Sequence, residues 1–179
     1  MSAALVPPFN ADTARAKVKK AQALWNTQNP EKIAPAYTED SVWRNRDQFF
    51  TGHAAIKEFL TKKWQKERRY TLKKELFCWQ DNKIAVQFWY EYQAESGQWR
   101  RCYGLEVSLT LDTVAIGVVA RLMKLTGGDD QDWTFVPDGR MAKRQMSGNE
   151  IDLEESERWF KDGITEEEID ALVLGDKHH

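Results

Sequence analysis

The sequence predicts an α+β domain, with helices at the front packed on one face of a following antiparallel sheet. Apolar residues recur at helical spacing through the first third of the chain. Alternating runs follow, separated by turn pairs. That order of helices, then strands, is the α+β pattern.

Pro7-Pro8-Phe9 reads as an extended lead-in, and Asn10 or Asp12 can cap the helix behind it. Ala14, Val18, Ala21 and Trp25 lie on one face of a helix that Asn29-Pro30 stops. Pro30 suits the first turn of a second, short helix through Ile33, Ala34 and Tyr37. Ser41 to Arg46 alternates as a short strand. Thr51-Gly52-His53 opens a third helix with Ile56, Phe59, Leu60, Lys63 and Trp64 at helical intervals. Strands are expected over 70–79, 83–93 and 98–106, joined by turns at Asp81-Asn82 and Ser96-Gly97. A further hairpin is expected over 132–136 and 140–148 around Pro137-Asp138-Gly139. Thr165 and Glu168 form a capping box for a terminal helix.

The chain has 179 residues, which fits one domain with a tail. A net charge of -2 with 30% charged residues does not favour nucleic acid or an anionic membrane as partner. The start MSAALVPPF lacks the basic and apolar regions of a secretory signal, and the longest apolar stretch, 109–125, carries Asp112, Arg121 and Lys124. Cytoplasmic placement is the expectation. Cys78 and Cys102 have no motif spacing and read as buried thiols in a reducing compartment. His53, His178 and His179 give no metal-binding pattern, and no phosphate loop appears, so no metal or cofactor is expected. The basic run from Lys62 to Arg69, with Glu67 inside it, reads as a solvated helix face.

Several pieces in order carry a resemblance: Pro8-Phe9, Ala23-Leu24-Trp25-Asn26, Ala36-Tyr37-Thr38-Glu39-Asp40-Ser41, Trp43-Arg44-Asn45-Arg46, Lys63-Trp64, Lys74-Glu75-Leu76, Ile84-Ala85-Val86 and Tyr103-Gly104. Together they resemble the nuclear transport factor 2-like superfamily, in a branch of unknown function. That superfamily includes ketosteroid isomerases and SnoaL-like polyketide cyclases. The resemblance implies three helices and a strongly curved sheet around a conical pocket. It also implies a homodimer through the sheet. Fold of this kind does not fix function.

The family pattern passes from Glu106 to Asp132, whereas here residues 107–131 intervene without a single Trp, Tyr or Phe. The expected organisation is one domain over 1–160, interrupted at 107–131, and a helical tail over 161–179. The interruption has two readings, a surface loop or added helix, and a translated, retained intron. Val107-Ser108 can be encoded by GTGAGT and Gln131 by CAG, which match intron ends. Transcript sequencing decides, since a message lacking these codons is expected only for an intron.

Alternation places Trp43 and Asn45 on one strand face and Arg44 and Arg46 on the other. Phe88, Tyr90 and Tyr92 likewise oppose Trp89 and Glu91. The resemblance places Asn45 where ketosteroid isomerases carry their catalytic Asp, and an amide cannot serve as that base. It places Ala21 near their oxyanion Tyr, so no catalytic residue carries over. Candidate pocket residues are Trp25, Tyr37, Trp43, Asn45, Arg46, Trp64 and Tyr90, against the alternative that the aromatics are simply core. Arg44 and Arg46 are expected either to pair with acidic groups on the outer face or to fork onto a ligand carboxylate. Glu91 is expected to be solvated or salt-bridged. The expected ligand is a small apolar or carboxylate-bearing molecule. The expected activity, if any, is of cyclase, isomerase or lyase type. The alternatives are a non-catalytic dimeric interaction module and an impaired retained-intron product.

Overall fold

The structure is a computed structural model and describes residues 5–106 and 134–175. The segment 107–131 lies outside the described residues. Helix α1 (Ala11–Asn26) starts at a reciprocal cap: the Asn10 side chain accepts from the Thr13 N–H, and the Thr13 hydroxyl accepts from the Asn10 N–H. Helix α2 (Pro30–Ile33) begins on Asn29, whose side chain accepts from Glu31 and Lys32 N–H groups. Helix α3 spans Gly52–Lys66. The strands are β1 (Tyr37–Asn45), β2 (Gln48–Thr51), β3 (Arg68–Gln80), β4 (Lys83–Gln93), β5 (Trp99–Glu106), β6 (Thr134–Phe135) and β7 (Met141–Leu153). Helix α4 (Glu166–Ala171) opens on the Thr165/Glu168 capping box expected from the sequence.

The sheet runs β2-β1-β7-β5-β4-β3, with β6 bridging β4 and β7. The three-helix, curved-sheet class is the one expected, but the second helix ends at Ile33 and Tyr37, expected within it, opens β1. The four-residue strand β2 was not foreseen. The β1–β7 pair is parallel, whereas the other pairs are antiparallel. Sequence alternation reports a strand's faces but not the direction of a distant partner.

Helix α1 covers the open edge of β3 with side chains in place of a further strand. Asn26 accepts from the Leu72 N–H and donates to the Leu72 carbonyl. Gln22 accepts from the Lys74 N–H, and Gln28 donates to the Tyr70 carbonyl. An edge strand's unpaired groups are thereby satisfied. Inside the curl, Gly104 and Gly148 sit opposite each other on β5 and β7. A Cβ on Gly104 would lie 1.9 Å from the Phe88 ring, so the glycine is what lets that ring lie flat on the sheet.

The core is aromatic. Trp25 and Trp43 stack at 6.0 Å, Tyr37 meets Trp43 edge-on at 4.7 Å, and Trp64 meets Trp25 edge-on at 6.0 Å. Each such ring carries a large apolar area out of water. The outer face of β3, β4 and β5 is covered by the chain after β7. Of the two expectations for Glu91, the salt bridge is the one found, and the residue is not solvated. It is buried, accepts from Arg101 at 2.8 and 2.6 Å, and accepts the N–H groups of Trp159 and Phe160.

Cys102 is buried as expected, but Cys78 is exposed. The register between β3 and β4 slips between Leu76 and Cys78, and beyond it Phe77 and Trp79 are exposed as well. A bulge at the end of an edge strand turns its side chains away from the core. No helix among the described residues is long and apolar enough to cross a membrane.

Candidate functional site

The sequence candidates separate into three positions. Trp43 and Trp64 belong to the aromatic packing. Trp25 and Tyr37 join it; Trp25 also borders a gap of about 10 Å³, and both border another of about 50 Å³. Asn45, Arg46 and Tyr90 line an open cavity of about 760 Å³ beside helix α3 and the β1–β2 hairpin.

Arg46 reaches that cavity by a route alternation does not foresee. Asn45 pairs with Gln48, so Arg46 and Asp47 are the two turn residues of the β1–β2 hairpin. Tight hairpin turns demand positive φ. Arg46 has φ 58, and its N–H donates to the Met146 carbonyl at 2.9 Å. The turn throws its side chain back over the cavity instead of onto the outer face with Arg44. Its Nη2 donates to Glu150 at 2.6 Å, to the Tyr90 hydroxyl at 3.3 Å and to the Cys102 sulfur at 3.3 Å. Arg46 also lines the cavity itself. Burial pushes the Cys102 thiol up to about 11 and raises the Tyr90 hydroxyl well above its usual value.

Lys63 and Glu67 also border the cavity. The reading of this stretch as solvated fails for both, since their side chains are only 8% and 17% exposed. They form an i,i+4 ion pair, and the Lys63 ammonium lies 4.3 Å from the centre of the Tyr90 ring. Burial raises the Glu67 carboxyl and lowers the Lys63 ammonium, each opposed by its partner. The same cavity is lined by Phe50 and Phe59, which stack at 4.9 Å, and by the exposed Phe49.

Deeper in the cone lies a second polar group, missed in the sequence because its members are on three strands. Glu106 accepts from Arg144 at 2.7 Å and from Lys74 at 3.1 Å. Arg144 also donates to the Asn45 side-chain oxygen at 3.2 Å and lies over the Trp25 and Trp43 rings. Burial, against the pull of Glu106, pushes the Lys74 ammonium down to about 8. Asn45, Lys63 and Tyr90 border both this floor and the cavity. Asn45 thus holds an arginine and carries no base.

One protein-family model, described as a protein of unknown function (DUF1348), matches residues 7–114 and 122–161. The chain belongs to that family. No curated protein compared with it is significantly similar in sequence. Among solved structures, this DUF1348 member is similar to SalBIII, an epoxide hydrolase/cyclase-like enzyme with a role in pyran ring formation in the polyether salinomycin. The TM-score is 0.57 at 14% identity, covering 78% of this chain and 93% of that one. An NTF2-like protein of unknown function from Exiguobacterium sp. 255-15 aligns with TM-score 0.53 at 8% identity, covering 74% and 98%. A candidate scytalone dehydratase from Novosphingobium aromaticivorans DSM 12444 aligns with TM-score 0.52 at 12% identity, covering 78% and 84%. At these identities the likeness is one of fold. The DUF1348 chain shares the cone fold of nuclear transport factor 2-like proteins.

Proposed function

We propose that the chain binds a small molecule with an apolar body and a carboxylate or carbonyl oxygen in the open cavity. The observation that carries this reading is the mixed polar and apolar lining of that cavity. Arg46 and Tyr90, which both donate to Glu150, bring polar groups to it, and Phe49, Phe50 and Phe59 bring apolar contact. A largely preformed cleft with a few convergent polar groups is the usual form of a small-molecule site. The guanidinium fork suits a planar carboxylate. Cyclase-, dehydratase- and isomerase-type chemistry is compatible with such a ligand. Titration with benzoate and its neutral analogue benzamide, followed by NMR, tests the reading. Benzoate is expected to shift the signals of Arg46, Tyr90 and Phe50, and Arg46→Gln is expected to weaken benzoate roughly tenfold. Unchanged spectra with both probes would remove the assignment.

A second reading, association of two copies through the sheet, is favoured by Val42, Leu105 and Ile151. These are exposed on the outer face of the adjacent strands β1, β5 and β7. Light scattering at micromolar concentration is expected to give a dimer mass that Ile151→Lys converts to monomer. A monomeric parent chain would sink this reading.

A further inference from the structure

We propose that Glu150 is a built-in competitor for the ligand. Its carboxylate holds the place on Arg46 and Tyr90 that a ligand carboxylate takes, and it moves to Arg100 when the ligand enters. This rests on the binding reading above and narrows the ligand to an anion.

One oxygen of Glu150 accepts from both donors, from Arg46 at 2.6 Å and from the Tyr90 hydroxyl at 3.4 Å. The chain's own carboxylate thus shows what these two groups recognise. The pair is not sealed: both side chains are partly open to water, and both residues line the cavity. An ion pair in that setting contributes little and changes partners at little cost. A second cation stands beside it. Cys102 pairs with Glu150 and Arg100 with Asp152, so Arg100 and Glu150 are diagonal neighbours on one face of β5 and β7. Long side chains reach across such a diagonal. The Tyr92 hydroxyl interacts with both of them, and all three residues line the cavity. Arg100 itself donates to Asp152 at 3.0 Å in an exposed pair, which leaves it free to accept another carboxylate at small cost.

The exchange swaps one charge pair for another. An entering carboxylate replaces Glu150 on Arg46, and Glu150 gains Arg100 in return. A neutral carbonyl breaks the same pair but gives Arg46 no opposite charge for the one it lost. Glu150 therefore sets a threshold. Every ligand that uses Arg46 binds more weakly by the strength of the resident pair, because only the fraction of chains with Glu150 turned away is open to it. An anion restores what it displaces, and a neutral molecule does not.

Benzoate and benzamide are titrated by calorimetry into the parent chain, Glu150→Gln, Arg46→Gln and the double variant. The parent is expected to bind benzoate about fivefold or more tightly than benzamide. Glu150→Gln is expected to tighten benzoate about fivefold, the worth of an exposed ion pair. The same change made in Arg46→Gln is expected to tighten it by less than about twofold, since the competitor acts only through the arginine. Unchanged or weaker benzoate binding in Glu150→Gln overturns the proposal. An equal gain in both backgrounds overturns it too, because loss of bulk negative charge would then explain the gain. So does equal affinity of the parent for the two probes. By NMR, the Arg100 Nε–H signal is expected to shift when benzoate binds the parent, and a fixed signal overturns the move to Arg100. Should Glu150→Gln fail to fold, Glu150→Ala is read in the same way. A parent that binds no benzoate beside a Glu150→Gln chain that does supports the competitor. If none of the chains binds benzoate, the binding reading fails and takes the competitor with it, whereas binding without a gain in Glu150→Gln leaves that reading standing and removes the competitor alone.

Discussion

The floor and the mouth of the cone use the same materials to different ends. Each sets carboxylates against cations beside aromatic rings. At the floor, Glu106, Lys74 and Arg144 have side chains no more than 3% exposed, and the adjoining gap of about 10 Å³ is no larger than a water molecule needs. At the mouth, Arg46 and Glu150 are 33% and 23% exposed and border about 760 Å³. An ion pair sealed from water is costly to form and more costly to break, whereas a pair at a wet wall can exchange partners with little penalty. The floor is therefore read as structural and the mouth as the place where ligands compete.

The largest expected effect tests the floor. Glu106→Gln leaves Lys74 and Arg144 buried without their shared carboxylate. It should cost about 3–5 kcal/mol in denaturant unfolding. A loss below about 1 kcal/mol would show that water reaches the floor, and the comparison would collapse. Next is an alkaline test. The folded chain holds the Lys74 ammonium down to about 8 against an ordinary value of 10.5. Between those values the unfolded chain binds more protons, so this residue's penalty is present below pH 8 and is relieved as pH rises toward 10.5. Lys74→Met should flatten that part of the stability profile, measured as the difference from the parent chain. A parallel profile in the variant would contradict the assignment. Tyr90→Phe should weaken benzoate roughly three- to tenfold by calorimetry, the worth of one hydrogen bond. Smallest is Glu150→Gln, expected to change stability by about 1 kcal/mol or less. A larger loss would place the mouth in the same structural class as the floor.

Much of the scaffold was legible because its signals are local. The cap at Thr165, the helical spacing of Ile56, Leu60 and Lys63, and the hairpin around Gly139 all depend on neighbours a few residues apart. Alternation also groups Phe88, Tyr90 and Tyr92 on one face, but which face turns inward comes only from the fold. What was not legible depends on closure. Glu106 meets Lys74 across 32 positions and Arg144 across 38, through register that no periodicity encodes. Lys63 and Glu67 looked solvated because a run of charges says nothing about a wall folded over it. Arg46 was placed on the wrong face because alternation was extended one residue too far, into a turn. Cys78 was assigned to the core because a bulge is invisible in composition.

The turn at Arg46 sets two demands against each other. A non-glycine residue in the left-handed region gives up roughly 1 kcal/mol. Its pairing with Glu150, half open to water, restores no more than about that much. Arg46→Gly would relax the hairpin and discard the guanidinium fork. Selection of variants for heat resistance and selection for ligand capture should thus drive this position to different residues.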